Sequence, residues 1–283
     1  MRTWLAPYQM RSAATLEEAL TTLSREPGRW RPFAGGTDLM VLLEAGRLPH
    51  QHFLDIWPLR ELQGITASAD VVDIGALATY TDLLQDAVVA AEFPLVCDAA
   101  RQTGAVAIQN RGTVGGNIAN ASPAADLPPA LLVYDAEVEL ASVRGRRRIP
   151  YERFHTGYKQ MELAPDELIV RVSMRRGRRS WRQTYRKVGT RRAQAISKIC
   201  FAAAADVQDG VVRDVRIALG SVAPTVIRAR GAEAALHGQP LADGVRRGAA
   251  AALEADVAPI DDVRSTAAYR RLVARNLLEE FLA

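Results

Sequence analysis

The sequence predicts an α+β protein in which strands and helices are intermixed at first and segregated at the end. Three observations predict this class. Short strand-like runs alternate with helical patterns up to about residue 174, a charged, glycine-containing run at 175–179 interrupts them, and three strand-like runs then precede helical patterns only. We therefore expect a large amino-terminal part and a smaller carboxyl-terminal part, with a boundary near 175–179.

The elements of the first part are predicted from local patterns. Thr15 and Glu18 have the spacing of a capping box, which opens a helix through Leu20 and Leu23. Further helices are expected at 38–44, 81–89 and 95–102. Strands are expected at 30–34, 53–56, 71–75, 136–140 and 167–174, with 146–149 as the hairpin partner of the fourth.

The last third predicts a three-stranded antiparallel sheet covered by helices. Strand-like runs occupy 183–188, 199–207 and 211–219, and Asp209-Gly210 is a hairpin signal between the last two. Helical patterns follow at 228–236, 244–253 and 262–281. The last pattern carries an apolar stripe of Tyr269, Leu272, Val273, Leu277 and Phe281. We expect this stripe to cover the sheet; docking to a partner subunit is the alternative.

Composition excludes several classes of protein. The chain has 283 residues, of which 48% are hydrophobic, enough for a sizeable core. Its only cysteines, Cys97 and Cys200, are too few to ligate an iron–sulfur cluster within this chain. Residues 1–20 lack a secretory signal pattern, and no apolar run approaches the ~20 residues of a membrane span. A cytoplasmic protein without a membrane span is therefore expected.

The charged residues do not predict a nucleic-acid or metal site. Arginine clusters at 144–148, 175–179 and 191–192 contribute to a net charge of +4. No aromatic platform or DNA-binding motif accompanies them, so we expect solvated hairpins or subunit contacts rather than nucleic-acid binding. The histidines are too scattered to form a metal site, and no Ser-His-Asp arrangement is present: His50, His52, His155 and His237.

Two glycine-rich loops carry the strongest functional signal. The first, Ala34-Gly35-Gly36-Thr37-Asp38, lies between a predicted strand and a predicted helix. The second, Thr113-Val114-Gly115-Gly116-Asn117, begins a segment at 113–127 that shows neither helical nor strand period, and long irregular segments in compact domains tend to be functional. Paired glycines let successive amides form an anion nest at a helix start.

These loops predict that one diphosphate is held from two sides. Neither loop is a Rossmann fingerprint or a Walker A motif, so the scaffold must be a different one. For either glycine pair alone, a tight turn is the simpler interpretation.

The two loops, with Leu39, Ser122-Pro123 and Asp126, resemble those of the FAD-binding medium subunit of molybdenum hydroxylases. This group includes xanthine dehydrogenase, carbon monoxide dehydrogenase and 4-hydroxybenzoyl-CoA reductase. The likeness covers nearly the whole chain, with further landmarks at 157–159, 166–169, 185–189, 220–224 and 269–271. It implies an FAD-binding domain of the vanillyl-alcohol-oxidase (PCMH) type at 1–176, with subdomains of about 1–57 and 58–176, and a carboxyl-terminal domain at 177–283.

The resemblance also implies which residues contact FAD. Lys187 matches a basic residue near the flavin, where a cation would stabilise the anionic reduced form, although an exposed strand lysine is the alternative. Thr103 departs from the family, since animal xanthine enzymes carry an aromatic residue there. The matched positions are Pro32, Phe33, Ala34, Gly35, Gly36, Thr37, Asp38, Leu39, Thr113, Gly115, Gly116, Asn117, Asn120, Asp126, Ile169, Tyr185 and Lys187.

The function implied is that of an FAD-binding electron-transfer subunit, most like that of xanthine dehydrogenase. A large partner with a molybdenum cofactor would hydroxylate the substrate. A small partner with two 2Fe-2S clusters would pass electrons to this chain, which would deliver them to an external acceptor such as NAD. The alternatives are a carbon monoxide dehydrogenase, aldehyde or aromatic-CoA reductase complex, or a stand-alone FAD-dependent oxidase or reductase. No catalytic side chain is expected, because the flavin itself carries the redox step.

Overall fold

This computed structural model describes residues 8–283. A small parallel sheet is the first feature of that part of the chain. The first seven residues, which belong to the segment predicted to lack a secretory signal, lie outside that range. The strands β1 (Gln9–Ser12), β2 (Arg31–Phe33) and β3 (His52–Asp55) are ordered β1-β3-β2 and all run parallel. Two helices, α1 (Leu16–Arg25) and α2 (Thr37–Glu44), connect them.

A five-stranded sheet forms the centre of the molecule. Its strands are β4 (Ile65–Ala67), β5 (Val71–Gly75), β6 (Glu137–Ser142), β7 (Gly145–Pro150) and β10 (Leu168–Arg175), and all pairs are antiparallel in the order β4-β5-β10-β6-β7. Six helices lie between β5 and β6: α3 (Tyr80–Gln85), α4 (Ala87–Glu92), α5 (Pro94–Gln102), α6 (Val106–Gln109), α7 (Val114–Asn120) and α8 (Pro128–Val133). A short helix, α9 (Tyr151–Phe154), and the hairpin of β8 (His155–Gly157) and β9 (Gln160–Met161) precede β10.

The carboxyl-terminal domain contains the predicted antiparallel sheet and helices. Its strands are β11 (Arg182–Val188), β12 (Ile199–Gln208), β13 (Val211–Gly220) and β14 (Ile227–Arg228), and its helices are α10 (Arg230–Leu236), α11 (Asp243–Asp256) and α12 (Ala267–Leu282). The fourth strand, β14, was not predicted, because two residues are too few to show a period.

The central strand of this sheet joins two hydrophobic cores. Cys200, Ala202 and Ala204 face the core of the five-stranded sheet, whereas Phe201 and Ala203 face the core under α10–α12. A strand that is buried on both faces typically shows a continuous apolar run, as β12 does. The carboxyl-terminal domain is therefore packed closely against the centre of the molecule.

Two sequence predictions about helices were wrong. The helix expected at 81–89 is two helices, because the Asp86 carboxylate accepts hydrogen bonds from the amides of Val88 and Val89 and so starts a new helix. The segment 113–127, expected to be irregular, contains α7; its glycines lack the side chains that would have shown a helical period.

The last helix buries only part of the predicted stripe, since Leu277 and Phe281 are buried and Val273 packs partly buried against the same core. Tyr269 and Leu272 are 40% and 57% exposed, whereas Arg270 is only 4% exposed. Phe281 is buried as expected and packs against Phe201.

The first arginine cluster is a hairpin, as expected, and it is paired with carboxylates. Arg146 and Arg148 both contact Glu139, and Arg147 contacts Glu167. These carboxylates offset much of the positive charge that a nucleic acid would otherwise recognise. Within residues 8–283, no helix is long and apolar enough to cross a bilayer.

Candidate cofactor-binding site

The first glycine loop presents a run of unused backbone donors. Gly36 has a φ of +77°, in the left-handed region that glycine adopts readily, and it caps the start of α2. The amide N–H groups of 35–39 donate to no acceptor within residues 8–283. Successive free amides at a helix start form an anion nest, and the helix dipole adds positive potential there. This loop therefore has the form of a phosphate cradle.

The second loop uses its backbone donors internally. The amide of Gly116 donates to Oγ1 of Thr113 at 3.0 Å, and those of Val114 and Gly115 donate to the carbonyls of Ala78 and Ala76. The expectation of two amide nests is therefore wrong for this loop, because α7 begins inside it and is capped by Thr113. What the loop leaves free is a side-chain atom, the buried Oδ1 of Asn117, which has no hydrogen-bond partner within the described residues.

The two loops are in direct contact. A Cβ atom built on Gly35 would lie 1.6 Å from the carbonyl oxygen of Arg111, two residues before the Thr113 cap. A Cβ on Gly115 would lie 2.7 Å from that of Ala76. Any side chain at Gly35 would push the two loops apart. This glycine is therefore required for the close packing of the two loops.

An ion pair lies beside the end of the second loop. Nζ of Lys187, on β11, donates to Oδ2 of Asp126 at 2.7 Å and to the carbonyl of Gln102 at 2.8 Å. The side chain of Lys187 is only 7% exposed, so the alternative of an exposed strand lysine is wrong. The hydroxyl of Tyr185 donates to the carbonyl of Asp126 at 2.9 Å.

The Asp126 carboxylate is the least satisfied group of this pair. Its Oδ1 atom is buried and has no hydrogen-bond partner within residues 8–283. Burial raises the pKa of Asp126 to about 6, although attraction to Lys187 opposes the rise. A donor from a ligand would satisfy Oδ1 and favour the ionised carboxylate.

One cationic residue beside α7 was not among the predicted contacts. Nζ of Lys159, at the tip of the β8–β9 hairpin, donates to Oδ1 of Asn120 at 2.8 Å. Burial raises the pKa of Asp38, and the charge of Lys159 opposes that rise. The landmark at 157–159 was the only sequence signal for this lysine.

Two further predicted residues, Phe33 and Ile169, pack against apolar groups of the protein. Phe33 packs edge-to-face on Phe53 at 6.0 Å, and its ring lies against Gly36. Ile169, on β10, is 4% exposed and belongs to the core of the five-stranded sheet. Thr103, at the position where the chain departs from the aromatic residue of animal xanthine enzymes, donates its hydroxyl to the carbonyl of Ala99.

Taken together, the residues fit a dinucleotide that carries a diphosphate and hydroxyl or imide donors. An open groove of about 510 Å³ runs along the first loop, between α2 and α6. The free amides match a diphosphate, and the unpartnered oxygens of Asn117 and Asp126 require donors such as ribityl hydroxyls or an imide N–H. FAD supplies all of these groups.

Comparisons with known proteins agree with this chemistry. A sequence model described as the FAD binding domain in molybdopterin dehydrogenase matches residues 6–174, and one described as the CO dehydrogenase flavoprotein C-terminal domain matches 183–283. The xanthine dehydrogenase FAD-binding subunit of Escherichia coli O157:H7 is 32% identical, over 96% of this chain and 93% of the relative. The glyceraldehyde dehydrogenase medium chain of Sulfolobus acidocaldarius is 32% identical, over 94% and 93%.

A solved structure extends the likeness to three dimensions. Carbon monoxide dehydrogenase from Hydrogenophaga pseudoflava, in a form that lacks the Mo-pyranopterin moiety, matches with a TM-score of 0.93 and 29% identity, over 98% of this chain and 96% of that one. From the family models and the full-length relatives, we conclude that this chain belongs to the FAD-binding medium subunits of the molybdenum hydroxylases and that its cofactor is FAD.

Proposed function

We propose that this chain is the FAD subunit of a xanthine-dehydrogenase-like complex in the cytoplasm. A large subunit with the molybdenum cofactor hydroxylates the substrate, and a small subunit with two 2Fe-2S clusters passes the electrons to this chain. The chain delivers them to an external acceptor such as NAD. In support, a relative named as a xanthine dehydrogenase FAD-binding subunit aligns over nearly the full length of both chains.

The observation that carries this proposal is the run of free backbone amides at 35–39. This run lies in contact with the residues just before the second loop. We assign the diphosphate to these amides, with Thr37 and Asp38 at the start of α2. Thr113 caps α7, and we assign Asn117 and Asn120, which lie on α7, to further contacts with the cofactor. In this proposal, Pro32 to Leu39 and Thr113 to Asn117 form one binding edge, at the place where the subdomains 1–57 and 58–176 of an FAD-binding domain at 1–176 meet.

Bound FAD would accept electrons from the iron–sulfur centres and release them to the acceptor. Lys187 holds Asp126 in one orientation, and Tyr185 fixes the backbone of the same residue. A buried cation stabilises negative charge that develops nearby, because few water molecules screen it. We assign to Lys187 the stabilisation of the reduced cofactor and to Asp126 the acceptance of a hydrogen bond from it.

Purification of the complex through a tag on this chain tests the proposal. Flavin absorption should be accompanied by molybdenum and by iron in a constant ratio to flavin, and the complex should oxidise xanthine with NAD⁺. A matched Gly35→Ala chain, in which the loops are forced apart, should be recovered without flavin.

Other outcomes would contradict specific parts of the proposal. A yellow chain that never copurifies with molybdenum or iron would favour the stand-alone oxidase or reductase. A complete complex that oxidises carbon monoxide or an aldehyde, but not xanthine, would assign the chain to another type of molybdenum hydroxylase. Activity with a dye or quinone but not with NAD⁺ would refute the proposed acceptor alone.

A further inference from the structure

The loop that follows α7 is held in place by the carboxyl-terminal domain. The amide of Ser221 donates to the carbonyl of Pro123 at 2.7 Å, and Oγ of Ser197 donates to that of Ala124 at 3.1 Å. The hydroxyl of Tyr185 donates to the carbonyl of Asp126 at 2.9 Å. The position of Asp126 therefore depends on hydrogen bonds from residues far away in sequence.

Ser221 is the unusual member of this set. Its φ is +66°, in the left-handed region, which is unfavourable for a residue with a side chain. Such a conformation persists only where the surroundings determine it. Two contacts do so here: Oγ of Ser221 donates to the carbonyl of Ser197 at 3.0 Å, and the carbonyl of Ser221 accepts from Nη1 of Arg270 at 2.7 Å.

Arg270 is a buried cation on the face of α12 where the sequence pattern predicted apolar residues. Its side chain is 5% exposed, and its Nη2 donates to Oδ1 of Asp262 at 2.8 Å. Burying a guanidinium is costly unless it is paired, and an apolar residue would fill the same space without that cost. A structural role in the core alone therefore does not account for an arginine, whereas the contact with Ser221 requires a donor.

The hydrogen bonds form one continuous connection from the last helix to the candidate site. Asp262 orients Arg270, Arg270 fixes the carbonyl of Ser221, and the amide of Ser221 fixes Pro123. Asp126 follows in the same loop.

We propose that Arg270 is a positioning residue for the cofactor, which acts by holding Ser221 in its left-handed conformation and thereby placing the Asp126 carboxylate where the flavin binds. This inference rests on the proposed assignment of Asp126 to the cofactor. It also gives a role to the landmarks at 220–224 and 269–271, which the diphosphate site leaves unexplained.

The test compares Arg270→Met and Arg270→Lys in the full chain with the neighbouring exposed variant Arg271→Met. FAD is titrated into the apoprotein, and the dissociation constant, the visible spectrum and the reduction potential of the bound flavin are measured below the melting temperature. Arg270→Met should weaken FAD binding by about tenfold, the loss expected for one charge-assisted hydrogen bond, and should shift the spectrum and potential. Arg270→Lys should recover part of each change, and Arg271→Met should match the wild type.

A purely structural role for Arg270 predicts a different result. The melting temperature of Arg270→Met would fall, but its affinity, spectrum and potential would remain those of the wild type, and this outcome would overturn the inference. If Arg270→Met does not fold, Ser197→Ala removes one hydrogen bond to the same loop and should weaken FAD binding with a spectral shift; unchanged values would again overturn it. A wild-type chain that binds FAD while Asp126→Asn changes nothing would instead refute the underlying assignment of Asp126.

Discussion

The affinity of the apoprotein for FAD is expected to depend on pH through Asp126. Burial raises the pKa of this carboxyl to about 6, so the empty site binds a proton below that pH. A donor from FAD to the unpartnered Oδ1 would favour the ionised form and lower the pKa again. Protons and cofactor therefore compete, and affinity should fall as the pH falls below about 6.

The magnitude follows from the titration of a single group. One pH unit below the pKa, the protonated form exceeds the ionised form by about tenfold, and one pKa unit corresponds to about 1.4 kcal/mol. The dissociation constant should therefore rise by up to about tenfold between pH 7 and pH 5, of which about fivefold falls between pH 6 and pH 5, and should remain constant between pH 7 and pH 8 if no other group contributes.

Fluorescence titration of FAD at several pH values measures this dependence. The matched variant is Asp126→Asn, which keeps an oxygen for Lys187 but cannot be deprotonated. It should bind FAD with an affinity that is independent of pH over the same range. His155, whose pKa burial lowers, is present in both proteins and serves as an internal control. A pH dependence that survives in Asp126→Asn would refute the reasoning.

Other substitutions test the packing around the site. Gly35→Ala places Cβ 1.6 Å from the Arg111 carbonyl and should abolish FAD retention in gel filtration, whereas Gly248→Ala, with nothing within 4 Å, should leave it unchanged. Thr113→Val removes the cap of α7 and should cost about 1 kcal/mol in urea unfolding as well as weaken FAD binding; equal stability would refute the role of the cap. Arg228→Met breaks the buried pair of Arg228 with Glu233 and its contact with the half-exposed Asp135 of the centre of the molecule, and should cost about 3–5 kcal/mol in the same assay, an argument that fails if unfolding is unchanged.

The fold was predictable where one period dominated a segment. The strands β5 and β13 combine alternation or apolar runs with clear turn signals, and their positions agree with the prediction to within one residue. The short elements β1, β4 and α6 were missed, because three or four residues cannot establish a period. The predicted stripe of α12 was only partly right, because Arg270 joins the buried face through hydrogen bonds, which a count of apolar residues does not detect.

The candidate site was only partly predictable, because half of it depends on contacts between distant segments. The glycines at 35 and 36 indicated a turn before a helix, and the structure has positive φ at Gly36 and the start of α2 there, because these are local properties; phosphate binding by this loop stays a prediction. The internal use of the Gly115 and Gly116 amides could not be predicted, because their acceptors include Ala76 and depend on the tertiary packing of α7. No local pattern indicated that Lys159 contacts Asn120.

The hydrogen bonds from the carboxyl-terminal domain to the 123–126 loop have a consequence for biosynthesis. A chain emerges from the ribosome with its amino end first, and domains generally fold as units in that order. Both glycine loops are thus synthesised well before Tyr185 on β11, Ser221 directly after β13 and Arg270 on α12. The nascent amino-terminal domain would lack the hydrogen-bond partners that position Asp126. Stable binding of FAD is therefore expected to follow release of the chain rather than to accompany its synthesis.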